Sequence, residues 1–170
     1  MRFEDIVFVY HLRDEAQMAW HGRLHVHAES LHELHYFAGG SGSFRNGGAR
    51  FRIEPGTLYH SAPGVEHQIL ADELHSPITY YAMLVDAADD VELGELLARP
   101  PFSRGAPMPV GGARRFFFAD ILEKHFSGKA DLERSARHQL LAFLYGVAGG
   151  ASRAEGAADN AHVEKALAIM

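Results

Sequence analysis

The sequence contains no cysteine, which excludes disulfide staples and thiolate metal sites as sources of its stability or chemistry. It has no apolar run long enough to cross a bilayer as a helix. Its N-terminus, MRFEDIVFVY, carries Glu4 and Asp5 where the apolar core of a secretory leader would begin. A soluble, cytoplasmic protein with no membrane partner is the expectation. Positive charge is also in short supply: 16 Lys and Arg against 22 Asp and Glu leave a formal net charge of −6 and a pI near 6.0. Phosphate contacts need clustered basic residues, so the chain by itself is not expected to bind nucleic acid. With 47% hydrophobic and 22% charged residues, its composition is that of an ordinary folded protein. Its 170 residues suffice for one compact domain, or one domain with part of a second.

What the sequence has in excess is histidine. There are twelve, and His21, His25, His27, His32 and His35 crowd into fifteen residues. They fall in a strand-rich zone, residues 1–86, where short apolar segments (DIVFVYHL, RLHVHA, ELHYFAGG, ARFRIEPG, TLYHSAPG, EHQILA, ITYYAMLV) alternate with turn signals. Regular short strands of this kind point to an antiparallel barrel or sandwich. Asn46-Gly47-Gly48 predicts a tight hairpin, with Phe51 and Ile53 on one face of the following strand and Arg50 and Arg52 on the other. Tyr80 and Tyr81 are expected on opposite faces of theirs.

Residues 87–150 open with an irregular, proline-bearing connection that includes VELGELLA, a short helical candidate. Two helices follow, ARRFFFADILEKHFSG ending at Gly128 and LERSARHQLLAFLYGVAGG, capped by Asp131 and closed by Gly149-Gly150. Residues 151–160, SRAEGAADN with its flank, have linker composition, and 161–170 begin another helix behind Asn160. In the second long helix, Leu132, Ala136, Leu140, Phe143 and Val147 form one apolar stripe and Leu141, Leu144 and Ala148 a second. A helix packed on a barrel needs one such face. Leu140, Leu141, Phe143 and Leu144 are therefore expected to form the interface of a two-fold homodimer.

The chemistry rests on spacing. His25 and His27, two apart on an extended segment, face the same way; Glu33 follows, with His35 on its face; and His67 comes after Pro63-Gly64. Two histidines, a carboxylate and a distant third histidine make a facial set for one divalent ion, with zinc, nickel, manganese and iron all compatible. His35 reads as a pocket wall. His21, His60, His75, His125, His138 and His162 read as surface or capping residues.

These residues carry a resemblance. His25, His27, Glu33 and Gly40 resemble the first conserved motif of the cupin superfamily, and Gly56, Pro63, Gly64 and His67 the second. Five residues separate His27 from Glu33, where the family usually has three or four, so His32 and Glu29 stand as alternative donors. The order of barrel, helix pair, linker and helix start is similar to the sensor portion of AraC-family transcription regulators. That resemblance implies a cupin-type β-barrel with a C-terminal helical hairpin. It also implies a small-molecule effector bound near His35, Tyr36, Phe37 and Tyr81 beside the metal set. The last ten residues would open a truncated helix-turn-helix, DNA being engaged only by a domain absent from this chain. A free-standing metal-dependent cupin enzyme, a dioxygenase or isomerase, is the alternative.

Overall fold

The computed structural model describes residues 1–13, 15–70 and 73–167; side chains are described at these positions up to residue 150, Glu15 excepted. Seven strands appear among the described residues: β1 (Arg2–Leu12), β2 (Leu31–Asn46), β3 (Ala49–Ile53), β4 (Thr57–Ser61), β5 (His67–Leu70), β6 (Ser76–Asp86) and β7 (Met108–Pro109). They pair antiparallel in the order β1-β6-β2-β4-β7, with β3 and β5 both on β2. The helices are α1 (Glu15–His21), α2 (Val91–Leu97), α3 (Arg115–Phe126) and α4 (Ala130–Leu167).

Strand β2 organises the barrel. Its first half pairs with β4 and β6, and its second half, from Gly42 to Asn46, pairs with β3 and β5. The change of partners follows a bend at Gly40, which has φ +88°; a Cβ there would lie 2.2 Å from the Pro77 carbonyl oxygen, so only glycine fits. The Asn46-Gly47-Gly48 signal is the β2–β3 hairpin, with Gly47 at φ +60°.

Alternation along β2 and β6 builds two cores from one sheet. Phe37, Ile78 and Tyr80 point into the barrel with Phe44, Tyr59 and Ile69. Leu34, Tyr36, Tyr81, Met83 and Val85 point outward, where Phe118, Ile121, Leu140 and Leu144 cover them. Tyr80 and Tyr81 do take opposite faces. Phe118 stacks on Tyr36 with ring centroids 4.5 Å apart and interplanar angle 11°, which docks α3 on the sheet.

Four local expectations are corrected. RLHVHA is not a strand but an extended segment held by a single antiparallel bridge between His25 and His67. Helix α1 was not foreseen, because a seven-residue helix with Met18 as its buried apolar residue offers no periodicity to read. Helix α4 begins at Ala130, which puts Asp131 in its first turn rather than at its cap. Its backbone stays helical to Leu167, past the glycine pair expected to close it. The alanine-rich stretch beyond favours helix, and each glycine of the pair costs only about 1 kcal/mol. Asn160 thus falls within helical backbone, and the side chains of the expected linker and helix start lie outside the described residues.

His60 is a further correction, being fully buried rather than at the surface. Its Nδ1 donates to the Phe102 carbonyl (3.1 Å) and its Nε2 accepts from His32 Nδ1 (2.9 Å). Beside it, Asn46 Nδ2 donates to the carbonyls of His60 and Gly105, and Ser61 Oγ donates to Asn46 Oδ1. These bonds tie the barrel to the connection around residue 102. Burial lowers the His60 pKa from 6.5 to about 4, only partly offset by the hydrogen bond to Phe102. The unfolded chain therefore takes a proton that the folded one refuses. Stability from this group is intact above pH 6.5 and lost progressively down to about pH 4, by about 3 kcal/mol in all. Urea unfolding at pH 7 and pH 4.5 should show His60→Phe less acid-sensitive than wild type by that order. Equal acid sensitivity would mean that His60 charges freely in the fold.

Candidate functional site

The first motif enters the barrel on an extended segment and the second on β5. His25 N donates to His67 O (2.9 Å) and His67 N to His25 O (3.0 Å), while Gly64 N donates to His27 O (2.9 Å). These bonds set the two motifs side by side. The residues between His27 and Glu33 are absorbed by a turn: Leu31 N donates to Ala28 O, and Ser30 adopts φ +73°. Ser30 Oγ anchors that turn on Asp86. The longer spacing therefore does not carry Glu33 out of reach.

Glu33 is the centre of the site. Its Oε2 lies 2.7 Å from His27 Nε2 and 2.6 Å from His67 Nε2, and its Oε1 lies 3.6 Å from His35 Nε2. The ligand atoms of His27, Glu33 and His67 all fall within 4.8 Å of one another. The His25 ring stacks on His67 with centroids 5.6 Å apart, beside these three donors rather than among them. Of the alternative donors, Glu29 is exposed, and His32, one residue from Glu33, points to the opposite face of β2 to meet His60.

Burial opposes ionisation of Glu33, but the facing His35 and the close contacts of His27 and His67 outweigh it and hold its carboxyl well below the usual range. His35 is pushed down to about 4, chiefly by burial, with Glu33 opposing and the neighbouring histidines assisting. Its Nδ1 is buried without a hydrogen-bond partner.

One contact tests whether a metal fits. His67 Nδ1 lies 3.0 Å from the Val65 carbonyl, which can only accept, so Nδ1 carries the proton. The Nε2 lone pair then faces a carboxylate oxygen at 2.6 Å. That arrangement is repulsive unless a cation, a proton or a metal ion, sits in front of the three donors. A backbone carbonyl fixing the tautomer of a ligating histidine is also how metal sites are commonly supported. The residues fit a divalent ion.

Above the donors opens a cavity of about 290 Å³ whose walls include Val7, Trp20, His21, Arg23, His35 and Tyr80. Tyr80 Oη meets His21 Nδ1 at 3.2 Å, and the Arg23 guanidinium lies over the Trp20 ring at 4.3 Å. Phe37, expected to bind ligand, sits deeper, fully buried behind His35. Tyr36 and Tyr81 are not in this cavity. They lie on the outer face, where Tyr36 Oη donates to the Gly111 and Gly112 carbonyls and both rings pack against Phe118. Sequence reading left out Trp20, His21, Arg23 and, nearest Glu33 and His35, Tyr80. The signal for Tyr80 was present, since it shares parity with Ile78 and Ala82, but parity alone does not say which face is inside.

A family model described as the AraC-like ligand binding domain matches residues 8–160. The chain belongs to that family. Its fold is the expected cupin-type antiparallel β-barrel with C-terminal helices. A search of the curated proteins found no match. Among solved structures, the chain is similar to a cupin protein from Bacteroides fragilis, at 20% identity and a TM-score of 0.37, over 49% of this chain and 65% of that one. It thus spans just under two thirds of that protein's length. It is also similar to a predicted oxalate decarboxylase from Thermotoga maritima, at 20% identity and TM-score 0.34, over 48% and 80% of the two chains. Against a Bacillus subtilis oxalate decarboxylase mutant the values are 18% and 0.34, over 49% and 21%. Among the described residues no helix is long and apolar enough to cross a membrane.

Proposed function

We propose that this chain is the sensing domain of a transcription regulator and that its effector is a small molecule bound in the barrel at a divalent ion. The observation that carries this reading is the Glu33 carboxylate, buried at the floor of the cavity between Nε2 of His27 and Nε2 of His67. His27, Glu33 and His67 hold the ion, with His25 alongside. The bound ion supplies a Lewis-acidic point for oxygen donors of the effector. His35 and Tyr80 flank those donors, and Trp20 with Arg23 forms the rim.

The two-faced sheet offers the route to the helices. His35 and Tyr80 face the cavity, whereas their chain neighbours Tyr36 and Tyr81 pack on Phe118 of α3. An effector that favours one setting of β2 and β6 thereby favours one seating of the helix pair. Residues 1–86 are the sensor, and the helices after them carry the signal to a second copy and to a separate DNA-binding unit. The acidic balance of this chain leaves DNA contact to that unit.

Trp20, the only tryptophan, stands at the rim and reports on occupancy. Native mass spectrometry of freshly purified protein should find a metal, alone or with a retained metabolite. Adding small carboxylic acids and sugars to the metal-loaded protein should then reveal one class that changes Trp20 fluorescence saturably at one per chain. That change should vanish in His27→Gln. Oxygen consumption or conversion of the bound compound would replace the sensor reading with an enzymatic one.

A further inference from the structure

A second and larger cavity, of about 810 Å³, lies on the far side of the sheet between the connection around residues 101–110 and the α3–α4 pair. Its volume is that of a typical ligand site, well above that of the cavity in the barrel. The walls are apolar: Pro101, Pro107 and Met108 on one side, Phe117, Phe143 and Val147 on the other. On α4, Ala142 and Gly146 leave the floor open, and a Cβ placed at Gly146 would meet nothing within 4 Å.

Its polar groups are unequal. Gln139 is already engaged, its Nε2 donating to Asp120 and its Oε1 accepting from Lys124. Among the described residues Arg114 is the one charged residue in the lining, and its guanidinium carbon lies 5.5 Å from the Phe143 ring centroid, over the ring. Among the described residues no carboxylate forms an ion pair with it. The groove has, among the described residues, apolar walls, no acid and one solvent-exposed guanidinium without an ion pair, which complements a molecule with an apolar body and a single anionic head. We propose that this groove binds one amphipathic monocarboxylate, with its body against Phe117, Phe143 and Val147 and its carboxylate on Arg114. The site is separate from the barrel cavity and does not depend on the metal.

Isothermal titration of the full chain with dodecanoate, below its aggregation concentration, tests this. One equivalent should bind, and the neutral analogue dodecanol, of the same chain length, should bind about tenfold more weakly, the loss expected for one charge-assisted contact. Arg114→Gln should weaken dodecanoate by a similar factor while leaving dodecanol unchanged. Gly146→Leu, which adds a side chain into the groove where there is room and improves helix propensity, should abolish binding of both with the circular dichroism spectrum intact. Equal affinities for dodecanoate and dodecanol, an Arg114→Gln variant that binds dodecanoate as wild type does, or no binding at millimolar concentration would each overturn the proposal. So would a Gly146→Leu protein that changes oligomeric state when the wild type binds no dodecanoate, since the groove would then seat a second copy.

Discussion

Protein stripped of metal should regain one equivalent of a divalent ion, and the replacement of His27 and His67 together by glutamine should abolish that uptake. At a metal concentration a thousandfold above Kd, linkage gives about 4 kcal/mol of stabilisation. For a chain of this size that corresponds to a rise of about 10 °C in Tm. Zinc, nickel, manganese and iron(II) are each to be tried, with elemental analysis giving the stoichiometry. The physical basis is that Glu33 is buried beside two imidazoles whose Nε2 atoms converge on one of its oxygens. Glu33→Gln removes the charge while keeping the shape, and should weaken uptake without unfolding the protein. Wild type that takes up none of the four ions, with Tm unchanged by their addition, would overturn the metal reading.

The second large effect concerns α4. Leu144→Asp should fail to fold, or should unfold at least 15 °C below wild type on the usual scale of stability against Tm. Leu144 is wholly buried among the residues that join the helix pair to the outer face of the sheet. Losing a buried leucine costs about 2–5 kcal/mol, and an unpaired buried charge adds several more, which together rival the whole stability of a domain. Leu140 and Phe143 are buried in the same core, so these three of the four residues assigned to a dimer contact are covered by their own chain. Leu141 is only half-buried. Leu141→Asp should therefore stay folded, and light scattering on it tests whether the outer side of α4 pairs two copies. A soluble, natively folded Leu144→Asp would overturn this account of the core.

The apolar stripes on α4 are the basis for assigning these residues to a dimer contact. Two apolar faces about one hundred degrees apart imply two sets of neighbours, and a second copy is one way to supply them. For Leu140, Phe143 and Leu144 the fold supplies them within the chain. Helix α3 meets one side through Phe117, whose ring lies 4.6 Å from that of Phe143, the sheet and α2 join the same core, and Leu141, Val147 and Ala148 stay only partly buried. No local periodicity distinguishes a neighbour in the same chain from one in another.

The site was more legible than the helix packing. His27, Glu33 and His67 were named from spacing and motif, and the structure brings their donor atoms together. His25 was named with them and lies alongside, because its backbone pairs with His67 and stacks the two rings. Tyr36 and Tyr81 were placed in the pocket, and Tyr80 was left out of it, for a single reason. Alternation tells which residues share a face, but the interior face of a sheet that is apolar on both sides is chosen only by what packs against each.

By itself, the sequence determined what depends on neighbours along the chain. The glycines that allow positive φ set the β2–β3 hairpin and the bend at Gly40. Period-two alternation paired Glu33 with His35 and separated Tyr80 from Tyr81. Helix α3 ended at the stop that Gly128 provides. Only the tertiary structure decided that His27 meets His67, that His32 turns away to His60, and that Leu140, Phe143 and Leu144 of α4 are buried in their own chain. Those outcomes depend on register between strands far apart in the chain and on which surfaces exclude water from one another. No short stretch of sequence contains either quantity.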